Sequence, residues 1–416
     1  MTPHNPKGYN HMTRFLLLLL MLPALSWGGQ LTLVDWNILN FPGSYGPVRA
    51  PHFQAVIESL DPDFMVAQEV IGSNGLSTFM SLVLEPLHPG EWEAGPWHDS
   101  YDTDRALFIR NGSVEVVDSG WLDTALRDIE WWDLAIPEST DTFRLYTLHL
   151  KASSGSSEQQ QRLAECTILR ANLDGLASEL PYMVAGDFNI YHSTEPAFEL
   201  LISPGAGQLL DPIDRIGYWH NNSGYADIHT QCPRLDQFQG GSSGGMDDRF
   251  DMILVSEHWL DGSGLEILAD TYTAYGNDGE HYNNSIIAGG FNNAVPYEIA
   301  EAIYYSSDHV PLVAVLEYDD AVDSPETPAL RRKLSAWPNP FNPSVSLRYE
   351  LDEAASARLD VFDLSGRHIQ MLDSGPMSAG SHEMLWRAAG LSSGVYLVQL
   401  RVNGQLRDSE KLVLLR

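Results

Sequence analysis

Apolar residues fall along this chain in short runs, and several of the runs stop on a polar residue with chemical capacity. Leu31-Thr32-Leu33-Val34-Asp35-Trp36-Asn37-Ile38-Leu39-Asn40 alternates and turns at Phe41-Pro42-Gly43, predicting a first strand with Asn37 near its end. Phe64-Met65-Val66-Ala67 predicts a short buried strand ending in Gln68-Glu69, an acid that is costly to bury without a cation. Further strands are predicted for Asp104 to Arg110, which contains Arg105 and ends at the turn Asn111-Gly112, and for Arg144 to Lys151, which alternates around His149. Met183-Val184-Ala185-Gly186-Asp187-Phe188-Asn189 reads as a buried strand ending on a carboxylate and an amide two residues apart, hence on one side of the chain. Asp248 to Ser256 enters its strand on acids, and Ser307-Asp308-His309 leads into a last strand ending near Val315.

Helical spacing appears twice, from about Pro51 to Leu60 and from Ser157 to Leu176, the latter with Leu163, Cys166, Ile168, Leu169 and Leu173 on or near one face. The stretch from about Thr271 to Tyr305 reads as a long irregular segment, of the kind that is functional or mobile. Asp319 to Pro328 is acidic and Pro-containing, which suits a linker. Beyond Leu334 the pattern changes to short alternating strands, among them Val345 to Tyr349, Ala357 to Phe362 and Val395 to Leu400, predicting a small all-β sandwich.

A chain of 416 residues with 44% hydrophobic content has room for two or three globular domains. Its formal net charge of -32 resides between Leu31 and Tyr318, where 43 acidic residues face 11 basic ones, and Lys151 is the only lysine there. Such a domain repels polyanions at long range, so nucleic-acid binding would need a local basic or metal-filled groove; a solubilising surface for an extracellular setting is the plainer explanation. At the N-terminus, Arg14 precedes the apolar run Phe15 to Leu25 and small residues follow, the order of a secretory leader removed between Ala24 and Gln30, with Met12 a better start than Met1. No other stretch is apolar enough to span a bilayer. Cys166 and Cys232 could form one disulfide in an oxidising compartment, or stay as buried thiols.

Trp36-Asn37, Gln68-Glu69, His149-Leu150-Lys151, Gly186-Asp187-Phe188-Asn189, Arg249-Phe250-Asp251 and Ser307-Asp308-His309 occur in this order at strand ends. The order resembles the endonuclease/exonuclease/phosphatase superfamily over nearly all of Leu31 to Tyr318. That resemblance implies an α/β fold, a four-layer DNase-like α/β sandwich, with the site at one end of two packed sheets. Trp337-Pro338-Asn339-Pro340-Phe341-Asn342-Pro343, Val361-Phe362-Asp363-Leu364-Ser365-Gly366-Arg367 and Ser393-Gly394-Val395-Tyr396 resemble the C-terminal sorting domain of the type IX secretion system. The expected organisation is a leader over 1–29, a catalytic domain over 30–318, a linker over 319–334 and a sorting domain over 335–416.

Hydrolysis of a phosphate ester needs an activated water, neutralisation of phosphoryl charge and help for the leaving group. The resemblance assigns a divalent cation, Mg2+ with Mn2+ or Ca2+ as alternatives, to Glu69 with Asn37 and Asp308. It gives Asp187 to the water, Asn189 to the water or phosphate, His309 oriented by Asp251 to the phosphoryl group, and His149 to phosphate. Arg105 is a further candidate phosphate contact, with a structural ion pair as its alternative. Some abasic-site endonucleases place an acid where this chain has Leu39, so the number of ions stays open. The expectation is a monomeric, secreted or surface-exposed phosphodiesterase, foremost an endonuclease acting on nucleic acid, exported through the type IX machinery. Alternatives are a phosphomonoesterase, a sphingomyelinase-like phospholipase with Trp131-Trp132 as a candidate lipid-facing pair, and a non-catalytic surface binding module.

Overall fold

The computed structural model describes residues 29–319 and 334–414, save 138, 338–340, 352–353, 364–366, 389 and 403–404. The expected leader, apart from residue 29, and most of the expected linker lie outside the described residues, as do Pro338 to Pro340 and Leu364 to Gly366 of the tail motifs. The chain divides into two compact units, Met1–Asp323 and Ser324–Arg416.

The first unit is built from β1 (Gln30–Phe41), α1 (Gly46–Leu60), β2 (Phe64–Val70), α2 (Gly72–Phe79), a one-turn α3 (Glu85–Leu87), β3 (Trp92–Ala94), β4 (Asp104–Arg110), β5 (Glu115–Leu122), β6 (Ile129–Ala135) and β7 (Thr142–His149). It continues with α4 (Ser156–Leu173), β8 (Tyr182–Asp187), α5 (Pro196–Ile202), β9 (Asp251–Val255), β10 (Glu266–Ile267), β11 (Thr273–Ala274), α6 (Tyr297–Ser306) and β12 (Leu312–Glu317). One sheet runs β10-β12-β1-β2-β4-β3 with β11 paired to β12, and the other runs β5-β6-β7-β8-β9.

Strand alternation explains the layering. Leu31 and Leu33 of β1, Phe64 and Val66 of β2, Leu145 of β7, Met183 and Ala185 of β8 and Ile253 of β9 form one buried cluster between the sheets. Val34, Trp36 and Ile38 point the other way, packing with Phe53 and Val56 of α1 and Ile303 of α6. Val184 and Leu148 pack with Cys166 and Leu169 of α4 and Phe198 of α5. Helices, sheet, sheet and helices are therefore four layers.

The strand directions bring the motif residues to one edge. β1 and β2 are parallel with Asn37 opposite Gln68, so Asn37 and Glu69 leave the sheet together. β7 and β8 are parallel with His149 opposite Asp187. β9 and β12 run antiparallel to β8 and β1, so their entry residues reach that same end, with Asp251 opposite Asp187 and Leu312 opposite Asp35.

Several expectations shift. Helix α1 starts five residues before Pro51, because its first turns are anchored through a buried arginine: Arg49 donates to the carbonyls of Ile38 (3.2 Å) and Ser306 (3.1 Å). Ile168, expected on or near the buried face of α4, is exposed, while Cys166, Leu169 and Leu173 are buried. The stretch from Thr271 to Tyr305 is not irregular throughout, since α6 occupies its end and buries Ala300, Ala302 and Ile303. Its Asn277 donates to the carbonyls of Ala226 (2.7 Å) and His229 (2.8 Å), and Asp278 accepts from His281 Nδ1 (2.8 Å) and Asn293 N (2.9 Å). Asn277 thus braces the end of the short helical turn Ser223–Ile228, and Asp278 ties the segment to itself. Cys166 and Cys232 are buried and free, and burial pushes the Cys232 thiol up to about 12.

In the second unit β13 (Leu334–Trp337), β14 (Ser344–Leu351) and β17 (Gly380–Arg387) form one sheet, and β15 (Ala355–Asp363), β16 (His368–Met377), β18 (Gly394–Val402) and β19 (Gln405–Leu414) the other. Val345 and Leu347 from the first sheet meet Leu359, Val361, Val398 and Leu400 from the second in one buried cluster, giving the expected all-β sandwich.

Candidate active site

The end of β1 is pinned by Trp36, whose indole Nε1 donates to the carbonyl of His309 at 2.9 Å. Past Asn37 the backbone turns through Leu39 (φ 47°) and Asn40 (φ 46°), and this turn aims the Asn40 N–H at Glu69 Oε2, 3.0 Å away. Glu69 (φ 59°) and Asn189 (φ 51°) also hold left-handed backbone. Such conformations cost roughly 1–3 kcal/mol each for residues other than glycine and concentrate where geometry is functional.

Asn37 sits at the centre. Its Nδ2 donates to Glu69 Oε1 (3.0 Å) and to Asp187 Oδ2 (3.1 Å), its Oδ1 accepts from Leu39 N (3.0 Å), and its carbonyl accepts from Ser307 Oγ (2.6 Å). Asp187 Oδ1 accepts from Asn189 N at 3.0 Å, while Oδ2 lies 3.6 Å from His149 Nε2 and 3.7 Å from His309 Nε2. The two histidines differ in charge. Burial works to lower His309, yet the charge and hydrogen bond of Asp251, 2.7 Å from Nδ1, raise it well above the ordinary histidine value. His149 is held well below that value by burial and then by Arg127. Burial also pushes Asp187 up to about 7 against the pull of His309, and raises Glu69, with the charge of Asp308 adding to it. The edge therefore holds an imidazolium, a neutral imidazole and a carboxylate poised near neutrality within reach of one another.

The profile of the Endonuclease/Exonuclease/phosphatase family matches residues 36–309, the whole stretch that builds this edge. The chain belongs to that family. Family members are generally hydrolases of phosphate esters. Residues 335–415 match the secretion system C-terminal sorting domain, which indicates export to the cell surface or beyond by the type IX route. Among solved structures, the chain is similar to an endonuclease/exonuclease/phosphatase family protein from Bacteroides thetaiotaomicron, at 18% identity over 70% of this chain and 99% of that one, with a TM-score of 0.45. The catalytic domain of human Nocturnin is 19% identical over 70% of this chain and 94% of its own, with a TM-score of 0.46. A mannosyl-6-phosphatase from Bacteroides thetaiotaomicron is 18% identical over 69% of this chain and 99% of its own, with a TM-score of 0.42. At these values nothing about activity carries over from them. No curated protein matches the chain.

Members of the family typically use divalent metals, and the donors here suit one. Asp308 Oδ2 accepts from Ser242 N at 2.5 Å, but its Oδ1 is buried without a partner, and its charge acts on Glu69. A half-buried and a buried carboxylate that repel each other, the latter with an orphaned oxygen, form a hard-oxygen donor set. Asp187, Asp251 and His309 also offer donor atoms within 4.8 Å of one another. Within that trio Asp251 Oδ2 is taken by His309 Nδ1, while Asp251 Oδ1, like Asp308 Oδ1, is buried without a partner.

Sequence reasoning missed two residues of this candidate site, both in loops where no periodicity marks them. Arg127 places Nη1 3.1 Å from both ring nitrogens of His149 and Nη2 3.4 Å from the carbonyl of Leu150. Gln231 meets His309 Nε2 at 2.6 Å. The nearer Gln231 atom is the amide nitrogen; both nitrogens of an imidazolium donate, so a hydrogen bond to cationic His309 requires the amide turned to present its oxygen.

Arg105 does not contact the open edge. It is fully buried, with Nη2 3.3 Å from Glu130 Oε1, because its strand turns that side chain into the gap between the sheets. Arg105→Met is expected to lower the melting temperature while leaving KM unchanged; a raised KM with normal melting would return Arg105 to the site. Most other basic side chains of the domain are likewise committed. Arg110, Arg144, Arg162, Arg170, Arg215 and Arg249 pair with carboxylates, and Arg49 and Arg234 donate to backbone carbonyls. Arg127 and Lys151 are the two beside the candidate edge, Arg127 Nη1 3.9 Å from Asp102 Oδ2 and Lys151 donating to the carbonyl of Ala152 at 3.3 Å.

Proposed function

We propose that this protein is a secreted, metal-dependent phosphoester hydrolase acting as a monomer, with Asp187 as the base for the attacking water. The observation that carries the reading is the position of Asp187 Oδ2, 3.1 Å from the Asn37 amide and 3.6 and 3.7 Å from two histidines, one neutral and one cationic. A carboxylate with its pKa raised toward neutrality takes a proton from water more readily than an ordinary one. His309, kept cationic by Asp251, would turn its Nε2–H from the Gln231 amide, 2.6 Å away, to a phosphoryl oxygen that displaces that amide, and neutral His149 presents a second donor backed by the Arg127 guanidinium. Asn189 commits one amide hydrogen to the carbonyl of Leu150 (3.2 Å), which leaves its second hydrogen and its oxygen for the water or phosphate. A divalent cation held by Glu69 and Asp308, beside Asn37, would neutralise charge growing on the phosphoryl and leaving oxygens.

Chelation with EDTA is expected to abolish hydrolysis, and Mg2+, Mn2+ or Ca2+ to restore it. Glu69→Gln is expected to raise the metal concentration for half-maximal rate by on the order of tenfold or more. Full activity in EDTA would remove the metal from this reading.

Among substrates, the lipid alternative rests on Trp131-Trp132, and neither ring supports it: Trp132 is buried with Nε1 on the carbonyl of Pro96 (3.0 Å), and Trp131 lies 3.7 Å under Arg144. A nucleic-acid strand, the first expectation from sequence, would need a track of cations, and only Arg127 and Lys151 are placed to provide one. A compact phosphate ester needs no such track.

A further inference from the structure

Aromatic rings stand on both sides of the catalytic strands. Trp121, 49% exposed at the end of β5, stacks on His98 with centroids 3.9 Å apart and planes at 10°. His98 Nε2 lies 2.9 Å from Asp128 Oδ2, and Asp128 follows Arg127, so this platform is tied to the guanidinium behind His149. Tyr218, 59% exposed, stacks on His192 with centroids 5.0 Å apart and planes at 23°. Thr194 Oγ1 braces that pair, 2.9 Å from both Tyr218 OH and His192 Nδ1, and His192 follows Asn189 by three residues. In the sheet order β5-β6-β7-β8-β9, one platform lies on the β5–β6 side and the other beyond β8, with His149 and Asp187 between them.

Resting on the phosphoester reading above, we propose that the substrate is a low-molecular-weight phosphate ester whose organic group carries a ring, recognised by stacking on Trp121 or Tyr218, and not a nucleic-acid strand. Exposed rings already stiffened by stacking and hydrogen bonds lose little freedom when a planar or saturated ring settles on them. Proteins that hold single strands combine such rings with a cationic groove that follows the backbone. Here the rings are present without the groove: of 11 basic residues against 43 acidic ones between Leu31 and Tyr318, nine pair with carboxylates or donate to backbone carbonyls, leaving Lys151 and Arg127, the latter itself 3.9 Å from Asp102. The remaining two suffice for one phosphate, and the acidic surface repels the flanking phosphates of a polymer.

The test uses the full chain with Mg2+. Hydrolysis is measured for glucose 6-phosphate and for AMP, which separate a sugar ring from a base, and for ring-free glycerol 3-phosphate, a single-stranded oligonucleotide and plasmid DNA. At least one ring-bearing ester is expected to exceed glycerol 3-phosphate in kcat/KM by roughly tenfold, and Trp121→Ala or Tyr218→Ala to remove most of that preference. Trp121→Phe, which keeps a ring, is expected to retain it. Raising the salt concentration is expected to change the rate on the ring ester by less than about twofold, because one phosphate contact releases few counterions. Equal rates on ring-bearing and ring-free esters, or platform variants with unchanged preference, overturn the ring assignment. Faster cleavage of oligonucleotide or plasmid, falling steeply with salt, overturns the small-ester assignment and leaves the hydrolase reading standing. No hydrolysis of any substrate with Mg2+, Mn2+ or Ca2+ overturns the hydrolase reading itself.

Discussion

Asp187→Asn is expected to lower kcat by about 10³-fold, the scale of a lost general base, while the folded state melts at nearly the wild-type temperature. The amide keeps the shape of the carboxylate and can still meet the N–H of Asn189, which donates to Oδ1 at 3.0 Å. It cannot accept a proton from water at neutral pH. The sign of the pH effect follows from the raised pKa. Asp187 must be ionised to act, burial holds it up at about 7, and so the rate on the wild type rises with pH through that region. In Asp187→Asn that acidic limb is expected to vanish from the residual rate. Rate–pH profiles of kcat for both proteins check this, and a variant retaining wild-type kcat would move the base elsewhere.

The second large effect concerns stability. Arg249 donates through Nη1 and Nη2 to Asp211 at 2.8 and 2.9 Å, and both side chains are almost wholly buried. Arg249 also reaches the carbonyl of Arg215 (3.2 Å), and it precedes Phe250-Asp251, so it anchors the chain that presents Asp251 to His309. Arg249→Met leaves Asp211 buried and unpaired, a change that costs about 3–5 kcal/mol and is expected to lower Tm by about 10 °C. Although burial works to raise it, Asp211 is held below the ordinary carboxylate range by Arg249, so the ion pair contributes fully above that range. Its contribution is lost as pH falls through the lowered pKa, and the difference between wild type and variant narrows towards acid. Arg249→Met combined with Asp211→Leu is expected to recover much of the loss. Thermal melts of the two variants decide the matter, and a single variant melting like wild type would show the pair to be incidental.

Much of the candidate site was legible because its residues stand at the exits or entries of apolar strands, where a buried acid, amide or histidine stands out against the pattern. Asn37, Glu69, His149, Asp187, Asn189, Asp251, Asp308 and His309 were all visible this way. Arg127 and Gln231 were not, since each sits in a loop and touches a histidine more than 20 residues away in sequence. For Arg105 the sequence left a phosphate contact and a structural ion pair both open, for a related reason. A basic residue near the start of a strand looks the same whether it faces solvent or, as here, a buried glutamate on the opposing sheet. For Trp131-Trp132 the outcome was set by period-two alternation, which sent one ring into the core and the other beneath Arg144.

By itself the sequence determined the order of the strands that carry the motif residues, the acidic composition, the sorting tail and the chemical types at the candidate edge, because hydrophobic periodicity and residue chemistry are local properties. It did not mark β3, β5, β6, β10 or β11. Only the tertiary structure decided that Asp187 lies between a charged and a neutral histidine. Those charge states depend on burial and on partners such as Asp251 and Arg127, brought close by strand pairing and loop placement. It also decided which of the few cations face the catalytic edge, since commitment to a carboxylate or carbonyl is a matter of distance.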